Sequence, residues 1–385
     1  MKHSLIQRKL TRVDRALDKA IAASEIPGAV VLARMPRDGE VLEHLSVRGY
    51  AAVRPERLPM TRETVFDLAS LTKPLATATA VMLLAADGAL DLDQPAAKYI
   101  PAVGERGKDG ITLRHLLNHT SGLHPWRPYH EALLERERKK GERLLGTPQA
   151  KEQILERIFR SAPVHEPGEA AVYGDLDFIV LGAVVEAVAQ QPLDAFCSER
   201  IFSPLGMNAT RFIRIGDEAP PLLEAARRGI AATENCPWRG RVLWGEVHDP
   251  NAWAMGGVAG HAGLFSNADD VMRFAQTLLD VWHRRSDAFP HEWLQRFLTR
   301  ETTPIASSWA LGWDTPTPGA STSGTHFSAH SVGHLGFTGT SLWIDLEREA
   351  VVVMLTNRVH LVAKRSPFRL RPEVHDLILE AFQAG

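Results

Sequence analysis

The chain opens on a helical repeat. Leu5, Ile6, Leu10, Val13, Leu17 and Ile21 recur at three- and four-residue spacing between charged positions, which predicts an amphipathic surface helix. Two β-rich runs follow, Val30–Met35 and Val41–Tyr50. The Pro36-Arg37-Asp38-Gly39 segment between them reads as the turn of a hairpin. From Ser70 to Asp87 the chain is rich in Ala, Leu and Met and stops at Gly88, the pattern of a helix with a glycine end. Pro74 is tolerated only near a helix start, so this helix is expected to begin around Ser70–Thr72. Between about 90 and 250 the periodicity predicts helices at 111–119, 152–160 and 178–190, with a strongly charged solvated helix or lid at 131–143. A helix is expected at 269–282, then strands at 309–313, 340–345 and 350–356, and a last helix at 372–382. Residues 314–330 are turn-rich and read as a mobile loop.

Strands far apart in the sequence must share one sheet. The expected fold class is therefore α/β (α+β): an antiparallel sheet flanked by helices and built from both chain ends, with an inserted, mostly helical domain. The expected boundaries are 1–89 with 255–385 for the sheet domain and 90–254 for the insertion.

Composition narrows the function. With 385 residues, 44% of them hydrophobic, the chain can bury a large core, and a net charge of −2 argues against a nucleic-acid partner. Two cysteines, Cys197 and Cys236, make no disulfide framework or metal-type spacing and read as buried free thiols. The N-terminal helix carries charges every few positions, unlike a signal peptide, and no stretch reads as a membrane span. A cytoplasmic protein without a membrane partner is expected.

The candidate chemistry sits at Ser70-Leu71-Thr72-Lys73. Positions i and i+3 of a helix share a face, so Lys73 can place its amine beside the Ser70 hydroxyl, which needs an adjacent base to act as a nucleophile. A lysine serves if burial and nearby positive charge lower its pKa. Tyr173, after the Pro167-Gly168 turn and before an apolar helix, is placed to pass a proton between the serine and a leaving group. Gly333-His334-Leu335-Gly336-Phe337 precedes a strand. Its glycines would let a ligand lie against the strand edge, and the Phe337 N–H would join the Ser70 N–H as an oxyanion donor. His115 and His119 lack the glutamate of a zinc helix, and His326, His330 and His334 are four apart in loop and strand, where that spacing does not converge. Neither a metal nor an organic cofactor is expected.

In this order, Ser70-x-x-Lys73, Tyr173-Gly174-Asp175 and His334-Leu335-Gly336 resemble the three motifs of the serine β-lactamase and penicillin-binding-protein superfamily, class C type. Leu116-Leu117-Asn118-His119-Thr120-Ser121-Gly122-Leu123 and Pro204-Leu205-Gly206-Met207 are similar to two further segments of it. The resemblance implies the β-lactamase/transpeptidase-like fold and a serine hydrolase with a covalent acyl-enzyme, with Ser70, Lys73 and Tyr173 catalytic. Asp175, His334, Gly336, His119 and His248 become candidate substrate-binding residues. Asp175 stands where the family has Asn, and His334 where many members have Lys. A histidine is only partly charged near neutral pH, which points away from strong β-lactam turnover. The segment from Trp238 to Phe265, with Glu246, His248 and Asp249 as possible cleft residues, looks like the subgroup associated with peptidoglycan recycling. The implied activity is an amidase of the N-acetylmuramyl-L-alanine kind on a small-molecule or muropeptide substrate. A promiscuous carboxylesterase, a weak β-lactamase and an acylatable sensor without turnover are the alternatives.

Overall fold

The computed structural model describes residues 2–216, 228–304, 307–317, 319, 321–361 and 368–384. Helix α1 (Lys2–Ala22) leads into β1 (Gly28–Arg37), β2 (Glu40–Ala52), β3 (Leu58–Pro59) and β4 (Phe66–Asp67). A helical run then crosses the core as a 3₁₀ turn at Ala69–Leu71, a π segment at Lys73–Ala78 and α2 (Thr79–Ala86). Pro74 has no N–H for the i−4 ladder, which is where the π spacing opens. The middle of the chain supplies α3 (Leu113–Leu117), α4 (Tyr129–Lys140), α5 (Pro148–Phe159), α6 (Asp175–Ala189) and α7 (Leu193–Cys197). It also carries the short strands β5 (Arg211–Phe212), β6 (Asn235–Cys236) and β7 (Arg241–Val242), and α8 (Pro250–Ala254). After β8 (Leu264–Ser266) come α9 (Ala268–Trp282), α10 (His291–Leu298), β9 (Ser331–Leu335), β10 (Ser341–Asp345), β11 (Ala350–Thr356) and α11 (Leu370–Phe382).

The main sheet runs β3-β2-β1-β11-β10-β9 and all its pairings are antiparallel. Its two halves come from opposite ends of the chain and meet where Ala29 faces Thr356 and Arg34 faces Val351. Both faces are covered. Ala29, Val31, Ala33, Val352 and Met354 pack under α1 and α11 with Leu10, Val13, Leu17, Val374 and Ile378. Val30, Leu32, Val351, Val353 and Leu355 face the other way, into the large core that holds Leu71, Leu75 and Phe178. Burial on both faces explains why β1 and β11 read as continuous apolar runs rather than as alternation.

Two expectations change. Residues 309–313 form no strand: Gly312 takes φ +84°, the Ala310 N–H returns to the Trp313 carbonyl, and only isolated bridges remain, Trp309 with Asp314 and Asp314 with Gly333. The run 69–86 does pass the length and apolarity test for a membrane span, but it is 89% buried inside the protein and serves as its central core helix. The loop expected at 314–330 includes residues 318 and 320, which lie outside the described residues. Cys197 and Cys236 are both buried and unpaired.

Candidate active site

The serine turn is built by strain and pinned by side chains. Ala69 adopts φ +48°, a left-handed conformation that costs a non-glycine residue energy and that the surroundings must enforce. Its N–H donates to Asp67 Oδ1 at 2.8 Å, while Asp67 Oδ2 accepts the His248 N–H at 2.7 Å. The Thr338 hydroxyl donates to the Asp67 carbonyl at 2.8 Å and the Thr340 hydroxyl to the Leu68 carbonyl at 3.0 Å. Gly336 completes the contact: a Cβ there would lie 2.4 Å from the Leu68 carbonyl oxygen. These bonds lock the turn before Ser70 against the segment after β9. Among the described residues, neither the Ser70 nor the Phe337 N–H has a partner, so both are available to an oxyanion.

Lys73 is fully buried and its Nζ donates to Ser70 Oγ at 2.9 Å, to Asp175 Oδ1 at 2.7 Å and to the His261 carbonyl at 3.2 Å. The expectation of a lysine with a lowered pKa is overturned here. Burial alone would lower it, but the Asp175 carboxylate, with the hydrogen bond to the Tyr173 oxygen, outweighs burial and holds Lys73 above its ordinary value. Lys73 is therefore an ammonium in the resting site. The Tyr173 hydroxyl interacts with both Ser70 and Lys73, and burial pushes its pKa up, so it rests as a phenol.

The cleft has a volume of about 730 Å³ and is lined by Ser70, Tyr173, Asp175, His248, His334, Gly336 and Phe337 among others, so most of the sequence-selected residues converge on it. His334 is buried, and its Nδ1–H donates to the Leu335 carbonyl at 2.8 Å. Burial, then the Lys73 charge, drives its pKa well below the ordinary value, so it is neutral. Phe337 is 51% exposed at the mouth, and its ring stacks on His248 with centroids 5.4 Å apart.

His119 departs from its expected role. It is 1% exposed, does not line the cleft, and packs behind Tyr173 with ring centroids 4.8 Å apart. Its carbonyl accepts the Val172 N–H at 2.9 Å and its Nδ1 meets Asp177 Oδ2 at 2.8 Å. It therefore brackets the tyrosine from beneath, outside the cleft lining. Glu246 also turns away, onto Arg241 at 2.8 Å and the Trp253 indole N–H at 2.6 Å.

Asp249 lines the cleft, where burial would raise its carboxyl; the His261 imidazole at 2.9 Å and the Ala252 N–H instead hold it below the usual range. Ligand atoms of Asp175, Asp249 and His261 lie within 4.8 Å of one another, the spacing of a cation site. The Lys73 ammonium already supplies a positive charge there, 2.7 Å from Asp175. Sequence reasoning missed Trp309, Asp314, Arg358 and Arg371 in the lining, because none belongs to a motif and all four lie after residue 300 in segments that read as structural.

The chain matches the Beta-lactamase family model over residues 13–374. It belongs to the beta-lactamase family. It is accordingly an enzyme of the serine hydrolase type. A protein of Escherichia coli strain K12 named "Putative D-alanyl-D-alanine carboxypeptidase" is 36% identical over 330 residues, 78% of this chain and 70% of that one. A Salmonella paratyphi A protein of the same name is 32% identical over 320 residues, 78% of this chain and 71% of that one. Among solved structures, EstCE1, "a hydrolase with promiscuous acyltransferase activity", superposes with a TM-score of 0.74 at 24% identity, covering 97% of this chain and 99% of its own. The octameric penicillin-binding protein homologue from Pyrococcus abyssi gives 0.70 at 23% identity, covering 96% and 77%. Both share the fold.

Proposed function

We propose that this family member cleaves an amide bond of a short cell-wall peptide or muropeptide through a Ser70 acyl-enzyme. The observation that carries the reading is the single cluster of Ser70, Lys73, Tyr173 and Asp175 facing two unpartnered N–H groups at the floor of the cleft. Arg358 and Arg371 line the same cleft and suit a substrate with a carboxylate. Burial and then the neighbouring Arg358 lower Arg371 to about 9, which still leaves it charged at neutral pH.

The resting ammonium shapes the mechanism. As Ser70 Oγ bonds to the substrate carbonyl carbon, its proton passes to Lys73 Nζ while Nζ releases a proton to Asp175. The oxyanion forms between the Ser70 and Phe337 N–H groups. Collapse breaks the C–N bond, and the stored proton returns through Lys73 or Tyr173 to the leaving nitrogen. Water then takes the place of the leaving group and the steps reverse. A neutral His334 in place of a fixed positive charge also favours a second reading, a broad carboxylesterase with weak β-lactam turnover.

Ser70→Ala tests the shared chemistry: p-nitrophenyl acetate hydrolysis should fall to background with an unchanged melting temperature, and retained turnover refutes the nucleophile. A panel of muramyl-L-alanine peptides, peptides ending in D-Ala-D-Ala, short esters and nitrocefin separates the readings. Ester turnover with no peptide cleavage would favour the esterase.

A further inference from the structure

The cleft holds an acidic group that acylation leaves unused and that no basic side chain meets among the described residues. Asp314 lies beside β9, its N–H donating to the Gly333 carbonyl at 2.8 Å and its carbonyl accepting the Gly333 N–H at 2.9 Å. This two-way bridge fixes the residue at the strand edge that carries His334, and Asp314 lines the cleft together with Trp309 and Tyr173. Oδ1 accepts the Ser308 hydroxyl at 2.7 Å and the Thr315 N–H at 3.0 Å. Both donors are neutral.

The other two cleft carboxylates each meet a basic side chain: Asp175 meets Lys73 at 2.7 Å and Asp249 meets His261 at 2.9 Å. No basic side chain forms an ion pair with Asp314 among the described residues. The arginine acting on it from a distance, Arg300, gives its Nε to the Ser307 carbonyl at 2.8 Å. Burial pushes the Asp314 carboxyl up to about 6, so its charge at neutral pH is held against desolvation, a cost that an arriving cation offsets. The adjacent surface suits a cation too. The Trp309 ring stacks on Tyr173 with centroids 5.4 Å apart; Lys73 Nζ already lies 5.0 Å from the Tyr173 centroid, so Trp309, which lines the cleft, is the ring left to attract an alkylammonium group. The neighbouring His334, 5.7 Å from the Trp309 ring, is neutral and brings no competing charge.

We propose that Asp314 and the Trp309 ring form an ammonium subsite, so that this cleft selects substrates carrying a primary amine. The inference rests on the acyl-enzyme reading only in taking the cleft as the place where substrate binds. The favoured substrates are then amino-acid or peptide derivatives with a free amine, in preference to their N-acylated forms and to plain esters.

The test separates binding from turnover. Benzylammonium and its neutral isostere benzyl alcohol are titrated into Ser70→Ala protein at pH 7.5 by calorimetry, with tryptophan fluorescence as a second signal. The ammonium should bind roughly tenfold or more tightly than the alcohol, the range of one charge-assisted hydrogen bond. Adding Asp314→Asn, which keeps the oxygen that Ser308 and Thr315 use, should erase the preference. Asp314→Ser is read in the same way if the Asn variant does not fold. Equal binding of the two probes to the parent, or a preference that survives both substitutions, overturns the subsite. Because Ser70→Ala needs no turnover, that outcome leaves the acyl-enzyme reading standing, and loss of hydrolysis elsewhere leaves the subsite standing.

Discussion

A carboxylate kept in a cleft without a basic partner should cost the protein stability, and the cost should depend on pH. Replacing Asp314 with Asn removes the charge and preserves the acceptor for the Ser308 hydroxyl and the Thr315 N–H. In the folded protein burial raises this carboxyl to about 6 from an ordinary 3.8. The folded state thus binds more protons than the unfolded chain between those values. The stability this confers is present in full below 3.8 and is lost as pH rises through about 6. At 1.36 kcal/mol per pH unit the gap amounts to about 3 kcal/mol. Asp314→Asn should therefore be more stable than the parent by about 3 kcal/mol at pH 8 and only about 1 kcal/mol at pH 4.5. For a chain of this length, 3 kcal/mol moves a single cooperative melting transition by about 4 °C. Urea titrations and thermal scans of both proteins at the two pH values measure it. A gain that is the same at both pH values, or a loss at pH 8, would refute the idea that the Asp314 charge is held against desolvation.

Further outcomes follow from the same geometry. Asp175→Asn removes both the charge partner and the proton acceptor of Lys73; kcat for p-nitrophenyl acetate should drop by about a hundredfold. A rise in kcat would instead mean that the carboxylate merely suppresses a lysine base, and the relay would be wrong. Gly336→Ala would set a Cβ 2.0 Å from the Thr340 hydroxyl oxygen and 2.4 Å from a backbone carbonyl, so melting temperature and activity should fall together. An unchanged melting curve would show that the turn is not packed as tightly as described.

Much of this architecture was legible in the sequence, for identifiable reasons. The amphipathic repeat of α1 and the apolar runs of β1 and β11 carry their partners in their own spacing, and the hairpin announces itself at Asp38-Gly39. Ser70 and Lys73 lie one turn apart, so local geometry alone brings them together. The protonation of Lys73 was not legible, because it depends on Asp175, a residue about a hundred positions away. His119 was misplaced for a related reason. A motif records that a residue matters, and only packing shows that it stands behind Tyr173 instead of in the cleft lining. The strand expected at 309–313 failed because Trp309, Ala310, Leu311 and Trp313 are apolar for packing and cleft lining, while Gly312 at φ +84° turns the chain. That turn is also what delivers Asp314 to the cleft.

The pairing of β1 with β11 bears on how the enzyme comes into being. Residues 29 and 356 are neighbours in the sheet, and the first and last helices lie together on one face of it. On a ribosome the N-terminal hairpin must wait until Ala350–Thr356 are made before its central partner emerges. Closing so long a loop is slow, and it gives no contact energy until it is complete. Lys73 and Ser70 are synthesised long before the Phe337 N–H and the threonines that pin their turn. Acylating power is therefore switched on only once the segment through Thr340 has been made, and fragments truncated before residue 330 would carry the nucleophile without the means to use it.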